Sequence, residues 1–579
     1  MSSKQQPIIW NNWQEGIADS PHVGTGLIRN ADIESFPGAV KVAKKPQTHF
    51  ITLTSRTFTA VAATDLCTAS GSLSGDNFGG TAVYFTTTGT LPAGLTTGKV
   101  YFLIYDSATT FKVAVQANGY KNSVGSAAGT AIDITDTGTG THTVTAVAVG
   151  TINWIKKDPR NSYYWAQDSN GRVWFVPSGT RAYLLHNDAI DTGQAYTNAA
   201  GNGIALFANS DATATYLFAF RNALIDVINV YGNTAIEAVS WSNGWQTMNA
   251  GAGSSAVHET RAGQDNIIYY CDDRYVGSIK EVAGQVFDPA SGATYTFSQD
   301  ALDLPQSEVA QCLEEQGTNL MIGGNTFNQI YPWDRISDSY NLPLAVPEYA
   351  IKKLQNLGGT IYILPGTWGN IYTTQGTYVK HFKKIPTYVV NNALAIQSNP
   401  ITWGGIAVSN GALLFGLTGQ TTNSSGIYRL WPDGRLVHDN TPASGSTIVK
   451  GLYAQDDFYL MGYSGGFDNF SNTTLYSSYE TVLHSPFYKV GTKIQPGTFS
   501  RLEAVIDRPT TSGNIRIGYR TDLTSSFTTL ATYSGDGTTM IFETTDIGLI
   551  DIQNIQLQAE LSDGGVAIDI ELLEVRLIP

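Results

Sequence analysis

The sequence predicts an all-β chain: a β-propeller of about seven blades, an inserted small Thr/Gly-rich β-domain, and a C-terminal β-sandwich. Three observations carry this. Of 579 residues, 42% are apolar and only 14% charged, with 30 Tyr, 23 Phe and 11 Trp, the composition of half-buried strands rather than surface helices. A hairpin pattern recurs at separations of 41 to 53 residues between positions 151 and 478. Two blocks, 56–150 and 479–579, break that pattern in different ways.

Residues 1–55 are expected to join the propeller as an N-terminal segment. Residues 56–150 are dominated by Thr, Gly, Ala and Ser, with strands suggested at Ala82–Thr86, Val100–Tyr105 and Phe111–Val115 and turns at Pro92-Ala93-Gly94 and Asn118-Gly119. Such a stretch reads as a compact β-domain inserted into a surface loop, a change that costs little in loop entropy. It is expected to face outward, so that removing residues 58–148 leaves assembly intact.

The recurring unit of 151–478 is a short apolar strand, a turn, and a second short strand. The first strands are Tyr163-Tyr164-Trp165, Tyr216-Leu217-Phe218, Ile267-Ile268-Tyr269, Leu320-Met321-Ile322, Ile361-Tyr362-Ile363, Leu413-Leu414-Phe415 and Phe458-Tyr459-Leu460. The second strands are Val173-Trp174-Phe175, Leu224-Ile225, Ile279, Gln329-Ile330-Tyr331, Ile371-Tyr372, Ile427-Tyr428 and Leu475-Tyr476. Turns such as Ser169-Asn170-Gly171 and Pro432-Asp433-Gly434 tolerate positive φ. The spacing suits the blade of a propeller; two unrelated sandwiches with similar hairpins are the competing reading. Residues 479–579 alternate more cleanly, as in Arg501–Asp507 and Asn514–Arg520, which signals an antiparallel sandwich.

The net charge is −14, and no Lys/Arg run exceeds a pair such as Lys44-Lys45 or Lys383-Lys384. A protein that clamps nucleic acid needs a basic stripe, so clamping is not expected, whereas an acidic surface that DNA slides past without sticking stays open. The N-terminus lacks a secretory pattern and no apolar run is long enough to span a membrane. Cys67, Cys271 and Cys312 are widely spaced and read as free buried thiols made in a reducing cytosol.

No catalytic, cofactor-binding or metal-binding residue is assigned. Asp272-Asp273, Glu314-Glu315 and Asp456-Asp457 are adjacent pairs, so on a strand they point to opposite faces instead of flanking a bond; they read as turn or hairpin-edge residues. The eight His never fall within five residues of one another. Gly462-Tyr463-Ser464-Gly465-Gly466 matches GxSxG but lacks the helix that a nucleophile elbow needs, and reads as a hairpin loop. Asp468-Asn469-Phe470-Ser471-Asn472 offers oxygens without a full Ca²⁺ ligand pattern. Ser534-Gly535-Asp536-Gly537 has the wrong spacing for a sialidase Asp-box. Trp241, Trp245, Trp368 and Trp403 are read as blade-core residues, with stacking on sugars as the alternative.

Three stretches resemble virion structural proteins of tailed bacteriophages. The first is Trp13-Gln14-Glu15-Gly16-Ile17-Ala18-Asp19-Ser20-Pro21, with Asn30-Ala31-Asp32-Ile33 and Phe36-Pro37-Gly38. The second is the inserted block, through Tyr84–Leu95, Tyr101-Phe102-Leu103-Ile104 and Gly138–Val144. The third runs from Ser485-Pro486-Phe487-Tyr488 through Thr498–Glu503. Together they cover about a third of the chain and resemble a podovirus-type tail nozzle with a propeller body. The resemblance implies a structural tail component, with no catalysis and no cofactor. It implies a ring of further copies of the chain, expected as a hexamer, around the DNA exit channel. The partners implied are an adaptor, tail fibres, and genomic DNA passing an acidic lumen without specific binding. The expected location is the virion tail, assembled in the host cytoplasm. The alternatives are a receptor-binding tail protein or adhesin for host glycans and, after it, a propeller polysaccharide depolymerase.

Overall fold

The computed structural model describes residues 6–11, 13, 16–17, 27–33, 39–43, 47–48, 53–74, 78–115, 130–176, 183–186, 203–221, 223–230, 242–249, 257–386, 401–419, 424–445, 448–456, 458–470, 480–491, 495–507, 513–522, 525–534, 541–562 and 571–579. Regular structure among them is strand, and no helix is long and apolar enough to cross a membrane. The chain is an all-β protein built on a β-propeller.

Its blades are four-stranded antiparallel units. The first runs Ile152–Lys157, Tyr164–Asp168, Val173–Val176, Tyr183–His186, and the second Gly203–Ala208, Thr215–Arg221, Leu224–Asn229, Ser242–Thr247. The third is Thr260–Ala262, Ile267–Asp272, Tyr275–Glu281, Tyr295–Asp303; the fourth is Ala310–Gln316, Asn319–Gly324, Gln329–Trp333, Leu344–Ala345. The fifth is Ile351–Leu357, Thr360–Pro365, Asn370–Thr374, Val379–Lys384; the sixth is Thr402–Ser409, Ala412–Thr418, Gly426–Leu430, Leu436–Asn440. The seventh takes Val449–Gln455, Phe458–Tyr463 and Gly466–Asn469 from this region and its outer strand, Gln47–Thr48, from the N-terminal segment. Each inner strand lies against the next, and that of the seventh blade returns to that of the first. The ring is closed.

The strands that recur in the sequence are the second and third of each blade. The fifth blade shows why. Its second strand, Thr360–Pro365, is buried along five consecutive residues, whereas its inner strand is half-buried and its outer strand has no buried residue. Blades pack face to face, so middle strands are covered on both sides and read as apolar runs. In the seventh blade the third strand is Gly466–Asn469 and not the expected Leu475-Tyr476, which lies outside the described residues. Inner strands crowd at the axis: a Cβ on Gly203 would fall 1.7 Å from the His258 carbonyl of the next blade, and one on Gly405 would fall 2.5 Å from the Leu452 nitrogen. Only glycine permits that approach.

The inserted block forms a closed six-stranded barrel in the order Thr110–Ala114, Leu66–Ala69, Arg56–Val61, His142–Ala146, Ala82–Thr87, Val100–Tyr105. Phe58, Phe78, Phe85, Tyr101, Leu103 and Phe111 fill it. The barrel is not wholly outward-facing. Ala82, Val100 and Phe102 point away from its own core and pack with Ile155, Tyr164 and Trp174 of the first blade and Leu460 and Phe467 of the seventh. Alternation along two strands thus supplies two apolar faces, and removing residues 58–148 would uncover the second.

The C-terminal block is two sheets. One is Ile8–Trp10, Glu571–Ile578, Gly497–Asp507, Ile541–Ile552; the other is Leu27–Arg29, Thr481–His484, Asn554–Ser562, Asn514–Arg520, Thr528–Ser534. The N-terminal segment therefore gives a strand to each of these sheets as well as the outer strand of the seventh blade. Leu27–Arg29 also pairs in parallel with the outer strand of the sixth blade, so the second sheet continues into the ring. One core joins Trp10, Trp13, Leu502, Leu557 and Leu572 to Tyr362, Phe415 and Tyr428 of the fifth and sixth blades.

Candidate functional site

The inner strands of four blades bring charged side chains together. Lys156 of the first blade, Glu259 and Arg261 at the inner strand of the third, Glu314 of the fourth and Lys353 of the fifth converge across the ring's axis. Lys353 Nζ donates to Glu259 Oε2 at 2.7 Å and lies 4.5 Å from the ring centroid of Trp154 on the first blade. Lys156 Nζ donates to the Thr260 carbonyl at 3.2 Å. Arg261 Nη2 meets Glu314 Oε1 at 2.7 Å. These contacts link four blades across the axis.

Burial sets the protonation of the cluster. It pushes the Lys156 ammonium down to about 8, a shift that Arg261 and Lys353 assist and Glu259 and Glu314 oppose. Burial also pushes the Glu314 carboxyl up to about 7, against the guanidinium of Arg261 and the Glu315 N–H. A buried charge persists only when paired, which is why each cation here has an acceptor.

At one mouth of the channel the ends of the third, fourth and fifth inner strands enclose a cavity of about 370 Å³. Its walls are Arg261, Gln264, Glu314, Glu315 and Asn356, and its rim is Gly317, Gly358 and Gly359. Glu315 Oε1 accepts from Arg335 Nη1 at 2.6 Å and from the Gln264 N–H at 3.0 Å. Arg335 also donates to Asp265. Asn356 Nδ2 donates to the Glu315 carbonyl and its Oδ1 accepts from the Gly359 N–H, which fixes the amide. Arg261 Nε is buried and bonds no described residue.

Glu314 and Glu315 lie near the end of the fourth blade's inner strand, the edge of its sheet, just before the hairpin turn. Glu314 reaches Arg261 of the neighbouring blade, and Glu315 bonds both the Gln264 N–H of that blade and Arg335 of its own blade's outer loop; both border the cavity because it lies at the strand's end. The missed signal was periodic. Lys156-Lys157, Glu259 with Arg261, Glu314-Glu315 and Lys352-Lys353 each precede an apolar second strand by four to eight residues.

Other singled-out residues do local work. Asp272 ends a second strand, buried, and Asp273 follows it in a turn with φ 57°. Asp456 turns the seventh blade's first hairpin with φ 50°, and Asp457 lies outside the described residues. Ser464 and Gly465 form the turn between Phe458–Tyr463 and Gly466–Asn469. Asp468 accepts from Thr48 Oγ1, Tyr463 OH and the Ala443 N–H; burial pushes its carboxyl up to about 6. It fastens the closing strand, while Ser471 and Asn472 lie outside the described residues. Trp403 is buried and donates to the Pro365 carbonyl, and Trp245 packs among Phe218, Phe287 and Tyr295. Trp368 is half exposed, on the loop between the second and third strands of the fifth blade. Trp241 and Gly535-Asp536-Gly537 lie outside the described residues. The three cysteines are buried free thiols. Among the described residues no group of three or more His, Cys, Asp or Glu is placed to hold a metal ion.

No protein-family model matches the chain, and no curated protein matches it. Among solved structures it is similar to the WD40 β-propeller domain of Doa1, with a TM-score of 0.36, 10% identity, and coverage of 56% of this chain and 93% of that one. It is also similar to the β-propeller domain of Myceliophteria thermophila Cps50 (Swd1), with a TM-score of 0.36, 9% identity, and coverage of 56% and 96%.

Proposed function

We propose that the chain is a structural component of a tailed-bacteriophage virion: a nozzle or distal tail protein that assembles with its own copies around a DNA exit channel and catalyses nothing. The reading starts from the sequence resemblance and draws its support from one surface. Ile336 and Leu342, in the loop before the outer strand of the fourth blade, are 89% and 85% exposed, and Tyr378 in the equivalent loop of the fifth blade is 66% exposed. Large exposed apolar side chains on equivalent loops of neighbouring blades are what a protein contact would cover. The channel within a single ring is crossed by ion pairs, so a conduit in this reading lies between subunits.

Light scattering on the purified full chain, alone and with other proteins of its virion, tests this. The expected mass is near six subunits, alone or on an adaptor, and Ile336→Asp with Leu342→Asp should abolish the ring without unfolding the chain. A trimer would point to a receptor-binding spike, and a monomer in every mixture would end the assembly reading.

A further inference from the structure

We propose that the outer strand of the fifth blade, Val379–Lys384, pairs with the C-terminal edge strand Ile541–Ile552 of a second copy of the chain. Both strands end their sheets, and among the described residues each pairs on one side only. Each therefore offers a row of backbone N–H and C=O groups to another strand. Their side chains carry opposite charge. Val379–Lys384 holds Lys380, His381, Lys383 and Lys384 and no carboxylate, with Lys380, His381 and Lys384 exposed. Ile541–Ile552 is the longest strand described and holds Glu543, Asp546 and Asp551 and no Lys or Arg. Asp546 and Asp551 are exposed. Arg501 lies opposite Asp546 on the neighbouring strand, but its guanidinium pairs with Glu503 at 2.7 Å.

The other outer edges offer no such match. The outer strands of the fourth and seventh blades have two residues each, and that of the sixth is covered by Leu27–Arg29. Those of the first and second blades, and the edge strands Ile8–Trp10 and Thr528–Ser534, hold no Asp, Glu, Lys or Arg. In Tyr295–Asp303 of the third blade, Asp303 is already held by Arg274 at 3.2 Å. Like charges facing each other across strands oppose pairing, and opposite charges favour it. Neither edge thus suits its own kind on another copy, and each suits the other. The contact is head-to-tail, the type that closes a ring or runs on as a filament. It continues the surface proposed above: Tyr378, 66% exposed, directly precedes Val379, and Ile550, also 66% exposed, stands on the acidic strand.

The pairing rests on the assembly reading, whose two contact surfaces it identifies. The test reverses each edge in the full chain: Lys380→Glu with Lys384→Glu in one variant, Thr544→Lys with Asp546→Lys in the other. By light scattering, each variant alone should associate at least tenfold more weakly than the wild type. An equimolar mixture of the two should assemble, because every reversed edge then meets its opposite. Melting temperatures check that both variants fold. On the wild-type assembly, made from isotope-labelled and unlabelled copies, a zero-length carbodiimide should join Lys380 or Lys384 of one copy to Glu543, Asp546 or Asp551 of another. That measurement decides the matter even where a variant fails to fold. Variants that assemble like the wild type, a folded mixture that stays apart, or cross-links that never join these strands would each overturn the pairing and leave the assembly reading standing. A wild-type chain that is monomeric in every mixture would overturn both.

Discussion

The inserted barrel and the blade ring are both closed β-structures, and they fill their axes in opposite ways. Six strands leave a barrel interior the width of side chains, and here Phe85 lies 5.3 Å from Phe58 and 5.5 Å from Tyr101, ring centroid to centroid, with Phe111 beside them. The ring's axis is instead bordered by strand edges of separate sheets. Short apolar side chains would not span it, and long charged ones do: Lys353 crosses to Glu259 and to the face of Trp154. Closure by hydrocarbon leaves no room for a ligand; closure by ion pairs leaves directional groups at the mouth.

This contrast is breakable. The largest effect is expected in the barrel, where Phe85→Ala removes a fully buried ring and should cost about 3–5 kcal/mol, measured by chemical denaturation. The cost should be the same at low and high salt. In the ring, Lys353→Met leaves the Glu259 carboxylate without its cation, and losing one partner of a buried pair costs about 3–5 kcal/mol. The side chains keep 16% and 11% exposure, so the lower end is expected. Adding Glu259→Gln should recover most of the loss in a double-mutant cycle, whereas no second substitution of comparable kind should rescue Phe85→Ala.

A third, smaller effect separates the two by pH. The Glu314 carboxyl is raised from 4.5 to about 7, so between those values the native state binds more protons than the unfolded state and stability falls as pH rises. The Lys156 ammonium is lowered from 10.5 to about 8; in that window the unfolded state binds more protons and stability rises with pH. Glu314→Gln should remove, from the ring's calorimetric profile, the part of the fall that lies between about pH 6 and 7 and reduce it below, where the raised carboxyl of Asp468 still contributes. The barrel core is apolar, and burial with the nearby Asp65 carboxylate pushes its Cys67 thiol up to about 12, beyond both windows. The smallest effect is expected at Thr86 on the barrel's outer face, where Thr86→Ala should change stability by less than about 0.5 kcal/mol.

How legible these regions are follows from where burial falls. Tyr216-Leu217-Phe218 and Leu413-Leu414-Phe415 lie in strands covered on both faces, so their apolar runs declare the ring. The inserted block is equally plain in composition, yet its second apolar face through Ala82, Val100 and Phe102 is hidden, because the same alternation serves one partner or two. The pair Glu314-Glu315 is visible and uninformative alone: adjacency on a strand argues against convergence, and only the approach of a third-blade arginine gives Glu314 its partner.

By itself the sequence determined the β character, the hairpin period and the apolar middle strands, because burial on two faces is written locally, residue by residue. The tertiary structure decided the rest. It chose Gln47–Thr48 as the strand that closes the seventh blade, joined the N-terminal segment to both C-terminal sheets, and brought Arg261, Glu314 and Lys353 to one axis. Those pairings join residues up to several hundred positions apart, and their partners are selected by how the ring returns on itself, which no local pattern encodes.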